Sequence, residues 1–554
     1  MGKAKNNVNP GNKGFLKKWG MVFVLSLALA IILIDATLLN VSLSQIIQDL
    51  GTDIQSIQWV ITSYSLTLAA LTITGGRMGD LFGRKKMFIL GAVLFAIGSM
   101  IASISQNVET MILGESIIEG VGAALMMPAT ASLLVSNYKG RDRAIAFGIW
   151  GGVAGAATAV GPLLGGWLTT FYSWRWGFRI NVFVAAVLIL GSRLIIECRD
   201  KNEKPQLDLL GVLLSSTGLF ALVFGIIESS TYGWWKAKEA FVFMEKSYEF
   251  SGYSIAPIAI TVGVVLLNLF AIWEARQERL GNTPLVSPRL FRNRQFSSGM
   301  ITTGLMALGQ AGLIFSIPVF MQAVRGASAF QTGLALLPMS VMALITAPIG
   351  GALSHRIAPK RLVQAGLALN LIGYLMLWNS LVVTATAWDF APAIGLMGIG
   401  TGLTMASISN LTLSAVSPEQ SGEASGVNNT FRQIGGTLGT AIIGAILIST
   451  ISTNLESGIK ESKVIPEKAK GAISENVSNQ TSNVEFGGGA KFQDSVPKII
   501  TDEITAISHQ SVTDANKKTI AYASIVAVLG LISSFWLKGG VDIETEENLV
   551  VAKK

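Results

Sequence analysis

The 554-residue chain has little charge, little cysteine and little histidine. Only 14% of its residues are charged, against about 25% in soluble domains, which excludes an ordinary soluble protein. The one cysteine, Cys198, excludes an internal disulfide and a cysteine metal cluster. The two histidines, His355 and His509, lie far apart in sequence, which argues against a histidine-based catalytic or metal centre. No G-x-x-x-x-G-K-[ST] nucleotide loop occurs, so we expect no ATP-driven step within this chain.

Apolar residues are abundant instead. They make up 50% of the chain, and the mean hydropathy is +0.53. A bilayer core about 30 Å thick requires about 20 apolar residues per helix, and the sequence contains about fourteen such runs. The first run, 19–43, is too long for a signal peptide, so we predict that it is a membrane anchor. The sequence therefore predicts an all-α membrane protein.

The net charge of +8 comes from lysines and arginines whose distribution indicates a membrane topology. Lysines and arginines concentrate in alternate loops, such as Arg84, Lys85 and Lys86 after the second run. The short loops between them contain almost no lysine or arginine. Because short cytoplasmic loops carry this excess, the pattern predicts that both termini are cytoplasmic. It predicts a lipid bilayer as the surroundings and no nucleic acid as a partner.

The sequence contains an internal repeat. The segment "GGRMGDLFGRKK" (Gly75–Lys86) matches "GGALSHRIAPKR" (Gly350–Arg361), and "GVGAALMM" (Gly120–Met127) matches "GIGTGLTM" (Gly398–Met405). Both pairs lie about 275–278 residues apart, which implies two homologous six-helix halves. Parallel repeats with a site at their interface are typical of transporters.

These runs predict five regions and one long loop. The regions are a cytoplasmic tail at 1–18, a six-helix bundle at 19–196, a linker with two membrane helices at 197–295, a second six-helix bundle at 296–537 and a cytoplasmic tail at 538–554. The polar segment 451–518 is predicted to be a long external loop inside the second bundle.

Five motifs occur in order along the chain. They are the loop Gly75–Lys86, "IDATLLNVSL" in the first run, "QWVITSYSL" at the start of the second, "GAATAVGPLLGG" in the fifth and "GEASGVNNTFRQIGGTLGTAI" in the thirteenth. Together they resemble the major facilitator superfamily, in its fourteen-helix drug:proton antiporter branch of the EmrB/QacA type. The resemblance covers nearly the whole chain and implies the major facilitator fold, with two six-helix bundles and two linking helices.

The loop after the second run resembles the superfamily's signature between helices 2 and 3. The matching residues are Gly76, Asp80, Gly83, Arg84 and Lys85. The resemblance implies a conformational latch between the halves. From the residues alone, Asp80 can accept unpaired N–H groups at the start of the third helix, and Gly83 permits a tight turn. The alternative is that the loop only orients the chain by its charge. The second-half copy has His355 in place of the acid, which argues against a second, equivalent latch.

The fifth run resembles the antiporter signature of this branch. Its motif residues are Gly155, Gly161, Pro162, Gly165 and Gly166. Glycines four residues apart let helix backbones approach closely, and Pro162 favours a kink. The resemblance associates the motif with antiport, whereas the residues alone are equally compatible with a packing role.

Three carboxylates interrupt apolar runs: Asp35 in the first run and Glu115 and Glu119 in the fourth. A charge at this depth costs about 2.5–3.5 kcal/mol on insertion scales. At 1.5 Å per residue, Asp35 and Glu115 fall at similar depth, and Glu115 and Glu119 share a helix face. A low-dielectric site favours the protonated form, so we predict groups that exchange protons and attract cationic substrates. The alternative is that they only bond to neighbouring polar groups.

The fourth run departs from the family. The family usually has arginine where this chain has Glu115 and glutamine where it has Glu119. Loss of the arginine puts the usual proton relay in doubt, and two added acids indicate a different one. Six further residues are candidates for the wall of a substrate cavity: Asn40, Trp59, Tyr64, Gln310, Asn410 and Arg432. Methionine and aromatic residues nearby suit promiscuous binding.

These features predict a proton-driven efflux antiporter that exports amphipathic, cationic compounds across a bacterial plasma membrane by alternating access. The proton gradient takes the place of a cofactor, and the partners are small amphipathic substrates, protons and lipid. A periplasmic adaptor and an outer-membrane channel stay open as further partners. The alternatives are an exporter of one endogenous metabolite, lipid or peptide, and a facilitator without proton coupling. No nucleophile–base set favours an enzyme.

Overall fold

Fourteen long helices make up most of the described part of this computed structural model. The described residues are 15–52, 54–197, 207–238, 240–243, 246–248, 250, 252–354, 356–467, 470 and 498–538. The helices are α1 (Phe15–Leu50), α2 (Ile54–Phe82), α3 (Arg84–Ser103), α4 (Val108–Asn137), α5 (Gly140–Phe171), α6 (Arg175–Gly191), α7 (Leu209–Tyr232), α8 (Ile255–Arg279), α9 (Arg294–Ala323), α10 (Ala329–Leu353), α11 (Pro359–Ser380), α12 (Ala387–Ser414), α13 (Ser421–Glu461) and α14 (Lys498–Ser534).

Twelve of these helices are long and apolar enough to cross a membrane, and α5 is a thirteenth if its two bent segments count as one span. The remaining helix, α2, is 29 residues long and has polar residues spread along its length, such as Thr62, Ser65, Thr67 and Thr72. It packs against α4, α7 and α13. A helix surrounded by other helices needs fewer apolar residues than one that faces lipid, which explains its composition.

Two helical segments extend beyond the apolar runs. α1 begins at Phe15, inside the segment 1–18 predicted as the N-terminal tail. α13 continues to Glu461 and α14 begins at Lys498, so helix occupies both ends of the segment 451–518, whose place outside the membrane stays a prediction. The reason is packing: Leu455 and Ile459 of α13 and Ile504 of α14 are buried in one apolar cluster.

The linker between the bundles contains more than its two helices. A short antiparallel hairpin pairs Phe241–Phe243 with Lys246–Tyr248, and these are the only strands among the described residues. Phe241 packs edge-on against Phe224 and Tyr232 of α7, with ring centroids 6.0 and 5.4 Å apart. The aromatic face of the hairpin therefore covers one end of α7.

The two six-helix halves meet along two seams, one between α2 and α13 and the other between α5 and α10. Backbones touch directly at both. A Cβ at Gly76 would collide with the Gly422 carbonyl group, and a Cβ at Gly351 would collide with the Ala144 carbonyl group. Gly76 and Gly351 occupy equivalent positions of the repeat, so the seams are related by the same internal symmetry as the sequence.

Candidate functional site

The three intramembrane carboxylates come together inside the first half. Asp35, Glu115 and Glu119 are 2%, 1% and 0% exposed, and Asp35 interacts electrostatically with both glutamates. We call these three residues the carboxylate cluster. The similar depth predicted for Asp35 and Glu115 therefore corresponds to a real meeting of α1 and α4.

Asn181 of α6 bridges two members of the cluster. Its Nδ2 donates to Asp35 Oδ1 at 2.6 Å and to Glu119 Oε1 at 3.1 Å. The side chain is 1% exposed, and both amide hydrogens are used on carboxyl groups. Sequence reasoning missed Asn181, although it is an isolated amide within the apolar stretch "RINVFVAAVL". It fixes the spacing between Asp35 and Glu119.

Both glutamates lie on a π-helical segment, Ile112–Glu119, inside α4. The π segment widens the helix at this point, and the spacing of four residues still leaves Glu115 and Glu119 on one side of the helix, where they interact electrostatically. Ser116 Oγ donates to the Val60 carbonyl oxygen of α2 at 2.8 Å, and this bond ties the segment to its neighbour. Short π segments of this kind frequently occur at functional sites.

The cluster has unused hydrogen-bonding capacity. One oxygen each of Asp35, Glu115 and Glu119 is buried without a partner, and so is the Tyr64 hydroxyl group. Tyr64 is within electrostatic reach of all three carboxyl groups. None of the seven ion pairs in the described part of the chain involves the cluster. Buried carboxyl groups without a counter-charge hold protons or bind a cation.

The cluster is not arranged as a metal site. Among the described residues, no group of three or more His, Cys, Asp or Glu side chains is placed to hold a metal ion.

Asp80 joins the two halves at the end of the bundle where α2 meets α3, which we call the latch end. Its Oδ1 accepts the Gly422 N–H at 3.1 Å, and its Oδ2 accepts the Glu423 N–H at 2.8 Å. These N–H groups belong to the first turn of α13. The expectation that Asp80 caps α3 is therefore wrong: its carboxylate neutralises the positive end of a helix in the other half.

Arg84 holds Asp80 in place. Its Nε and Nη2 donate to Asp80 Oδ1 at 3.0 and 2.8 Å. Nη1 donates to Ser136 Oγ, and Nη2 also donates to the Glu419 carbonyl oxygen at 3.3 Å, in the other half. Gly83 adopts φ +110°, which glycine tolerates and other residues rarely adopt. The turn thus aims Arg84 at both Asp80 and the start of α13.

The start of α3 has a different cap, which the sequence did not reveal. Glu197 accepts the backbone N–H groups of Arg84 and Lys85 at 3.1 and 3.0 Å. Lys85 Nζ donates to the Ile195 carbonyl oxygen at 2.8 Å. The segment after α6 therefore stabilises the start of α3, next to the loop that carries Asp80 and Gly83. Glu197 lies about 110 residues beyond this loop, so no local pattern signals its role.

A second contact at the latch end comes from the linker. Glu423 of α13 lies 3.8 Å from Arg77 of α2 and accepts the Ser287 N–H. Leu285 and Leu290 on either side of Ser287 are buried in the core of the first half. The linker segment before α9 is thus held between both halves, next to Asp80.

The glycines of the antiporter motif pack against two different neighbours. Gly155 faces Ala343 of α10, in the other half, whereas Gly161 and Gly165 leave room only for Thr37 and Leu38 of α1. Gly166 is buried as well. The segments Gly140–Ala157 and Val160–Phe171 are bent by 42°, just before Pro162, as its missing N–H predicts. The bend directs the second segment of α5 onto α1.

The cavity candidates are dispersed. Trp59 stacks on Phe224 of α7 at 5.9 Å, and Asn410 accepts a hydrogen bond from Arg143 Nε at 3.1 Å. Both side chains are partly buried, and their place in a cavity wall stays a prediction. Tyr64 joins the carboxylate cluster. Gln310 is partly buried on α9. Arg432 crosses to α4, and the Asn40 side chain lies outside the described residues.

Two repeated bundles of membrane helices that meet at glycine-lined seams, with buried charged groups inside, define a membrane transporter. The comparison with protein families agrees, since residues 25–440 match the model described as Major Facilitator Superfamily. The chain belongs to this superfamily, and it is therefore a multi-pass transporter and not an enzyme.

Several relatives of the chain are named as resistance or export proteins. The chain is 31% identical over 439 residues to the puromycin resistance protein pur8 of Streptomyces alboniger, covering 78% of this chain and 82% of the relative. It is 29% identical over 428 residues to the methylenomycin A resistance protein of Bacillus subtilis, with 77% and 87% covered. The fold resembles the proton:xylose symporter XylE with a TM-score of 0.54, at 10% identity, over 92% of this chain and 94% of that one.

Proposed function

We propose that this chain is a proton-driven efflux antiporter of the fourteen-helix drug:proton branch, which exports amphipathic cationic compounds. The observation that carries the proposal is the carboxylate cluster, which is fully buried and has no basic partner among the described residues. Protonation neutralises such a cluster, and so does a bound cation. The two ligands therefore compete for one site, and this competition is what antiport requires.

The latch supplies the conformational part of the proposal. The positive-inside charges support a cytoplasmic latch end, where the Asp80 contacts hold the two halves together. With these contacts made, the carboxylate cluster is buried. Opening toward the cytoplasm requires breaking the contacts between Asp80 and α13, and closing remakes them. The names of the relatives, which include multidrug resistance proteins, support export of foreign compounds.

Purified protein in liposomes with an internal pH-sensitive dye tests this function. Ethidium or tetraphenylphosphonium is added under an imposed pH gradient, and proton flux is followed. Wild type should give substrate-triggered flux, whereas Asp35→Asn and Glu115→Gln should not. Folded wild-type protein that gives no flux with any cation would rule out cation antiport and leave a dedicated exporter or a facilitator.

A further inference from the structure

The second half places one positive charge in the middle of the bundle. Arg432 of α13 lies ten residues beyond Gly422, which corresponds to about 15 Å from the latch contacts at that residue. Its Nη2 contacts Met127 Sδ of α4 at 3.8 Å, across the space between the halves. None of the seven ion pairs among the described residues includes it. A guanidinium group inside a membrane protein is costly without an anion.

The helix face that carries Arg432 has unused polar capacity. Asn428 and Gly436 lie one turn to either side on the same face. The Asn428 carbonyl oxygen Oδ1 is buried without a hydrogen-bond partner, and a Cβ on Gly436 would meet no atom within 4 Å. In contrast, Gly435 and Gly439 on the adjacent face contact α9 backbone. The guanidinium group is only partly exposed and has no anionic partner among the described residues, and no neighbouring side chain fills the position one turn beyond it.

Arg432 and the carboxylate cluster face the same helix at different heights. Met127, which Arg432 contacts, is eight residues along α4 from Glu119, and this corresponds to about 12 Å. The first half therefore provides a negative group and the second half a positive group at two levels of the same helix. A ligand that spans this distance can neutralise both.

We propose that Arg432 is an anion-binding subsite, and that the preferred substrates are amphipathic zwitterions. Their cationic group binds the carboxylate cluster, and their carboxylate or phenolate oxygen accepts hydrogen bonds from the guanidinium group. Guanidinium matches such oxygens with two parallel hydrogen bonds. This inference rests on the proposed export of amphipathic compounds, but it concerns binding and needs no proton gradient.

Equilibrium binding of two matched dyes tests the subsite. Rhodamine B is a zwitterion, and its ethyl ester has the same cationic chromophore without the carboxylate. Fluorescence anisotropy with the full-length protein in nanodiscs gives both affinities. Arg432→Gln should weaken rhodamine B binding about 10- to 100-fold, the range for a hydrogen bond to a charged group, and should change ester binding less than about twofold.

Two further variants control the result. Arg432→Lys keeps the charge without the two-pronged geometry, so it should weaken rhodamine B less than Arg432→Gln does, and thermal unfolding should show that both variants are folded. Arg143→Gln removes another partly buried arginine, one already bonded to Asn410, and should leave the ratio of the two affinities unchanged.

Two outcomes distinguish failure of the anion-binding subsite from failure of the proposed proton coupling. Equal weakening of both dyes by Arg432→Gln, or no weakening of either, would overturn the subsite even if cation-driven proton flux is intact. A rhodamine B preference that depends on Arg432, in a protein without proton flux, would overturn the proton coupling and leave the subsite standing.

Discussion

The two halves have the same packing but different interiors. Gly76 and Gly351, which are equivalent in the repeat, each press against a backbone carbonyl group of the opposite half. Inside the first half, α1 and α6 bring together Asp35 and Asn181. Inside the second half, the equivalent helices α9 and α14 bring together Ser316 and Asn516.

The chemical difference between these two pairs is large. Ser316 also bonds to Thr519 at 2.9 Å, and no polar atom of Ser316, Asn516 or Thr519 is left buried and unpaired. The carboxylate cluster leaves three oxygens unpaired. The comparison teaches that the repeat preserves the close backbone contacts at the seams, whereas the buried cluster of carboxyl groups occurs in the first half and the equivalent helices of the second half carry a neutral, hydrogen-bonded pair.

The largest effect should follow from placing a first-half acid in the second half. By the repeat, Met397 is equivalent to Glu119, and it is 2% exposed within an apolar cluster. Met397→Glu buries a carboxyl group without a donor, and it should cost about 3–5 kcal/mol of unfolding free energy. Thermal unfolding in detergent measures this. The reverse change, Glu119→Met, should keep or raise stability and abolish proton flux. A Met397→Glu protein as stable as wild type would show that the second half accepts a buried carboxyl group as well as the first half does, contrary to the difference described above.

The second effect separates the two buried asparagines. Asn181→Ala removes donors to two carboxyl groups, worth about 1.5–3 kcal/mol each when the acceptor is charged. It should slow substrate-driven proton flux at least about tenfold. Asn516→Ala removes neutral bonds, so it should lower stability by about 1–2 kcal/mol and leave coupling intact. Equal losses of proton flux in Asn181→Ala and Asn516→Ala would show that both halves take part in proton coupling.

The third effect tests the equivalence of the seams. Gly76→Ala and Gly351→Ala each force a methyl group onto a carbonyl group, and overpacking of this kind costs about 1–3 kcal/mol. Both should open the latch end to a similar extent. In a Cys198→Ser background, labelling of Ser425→Cys by an impermeant maleimide reports this, because Ser425 is 1% exposed.

Gly309→Ala is the matched control for these glycine variants, since a Cβ there would meet its nearest neighbour at an ordinary 3.5 Å. It should leave labelling at the wild-type level. An effect of Gly76→Ala without one of Gly351→Ala would show that the seams are not equivalent.

The smallest effect should come from the latch carboxylate. Asp80→Asn keeps one acceptor oxygen but loses the charge, which should weaken the contact with α13 by about 1 kcal/mol and raise the labelling of Ser425→Cys about fivefold. His355→Asn changes the equivalent position of the repeat without removing an acid, and it should have no such effect. Unchanged labelling in Asp80→Asn would contradict a latch. It would leave orientation of the chain by its positive charges as the role of the loop Gly75–Lys86.

Much of the fold could be predicted from the sequence. Run lengths predict the membrane helices, and two motif pairs at one offset predict the halves, because both signals lie within short segments. The bend next to Pro162 also follows from a local property. The extension of α13 to Glu461 could not be predicted, since it depends on burial of Leu455 and Ile459 against a helix that follows the polar segment.

The site was predictable only in part. Asp35, Glu115 and Glu119 could be identified because a carboxyl group in an apolar run is rare and costly. Asn181 and Glu197 could not, because their importance arises from partners more than 60 residues away. Asp80 was identified but assigned to the wrong helix, since a sequence motif favours the nearest helix start, whereas the fold offers another from the opposite half.

The presence of three carboxyl groups, rather than one, has an electrical consequence. Moving one elementary charge through a membrane potential supplies about 2.3 kcal/mol per 100 mV. Under the proposed coupling, exchange of one proton for one monovalent cation moves no net charge and gains nothing from the voltage. Every additional returning proton adds this electrical work to the pH gradient. If all three carboxyl groups exchange protons in the proposed mechanism, a cell with little pH difference but a large membrane voltage could continue to expel substrates.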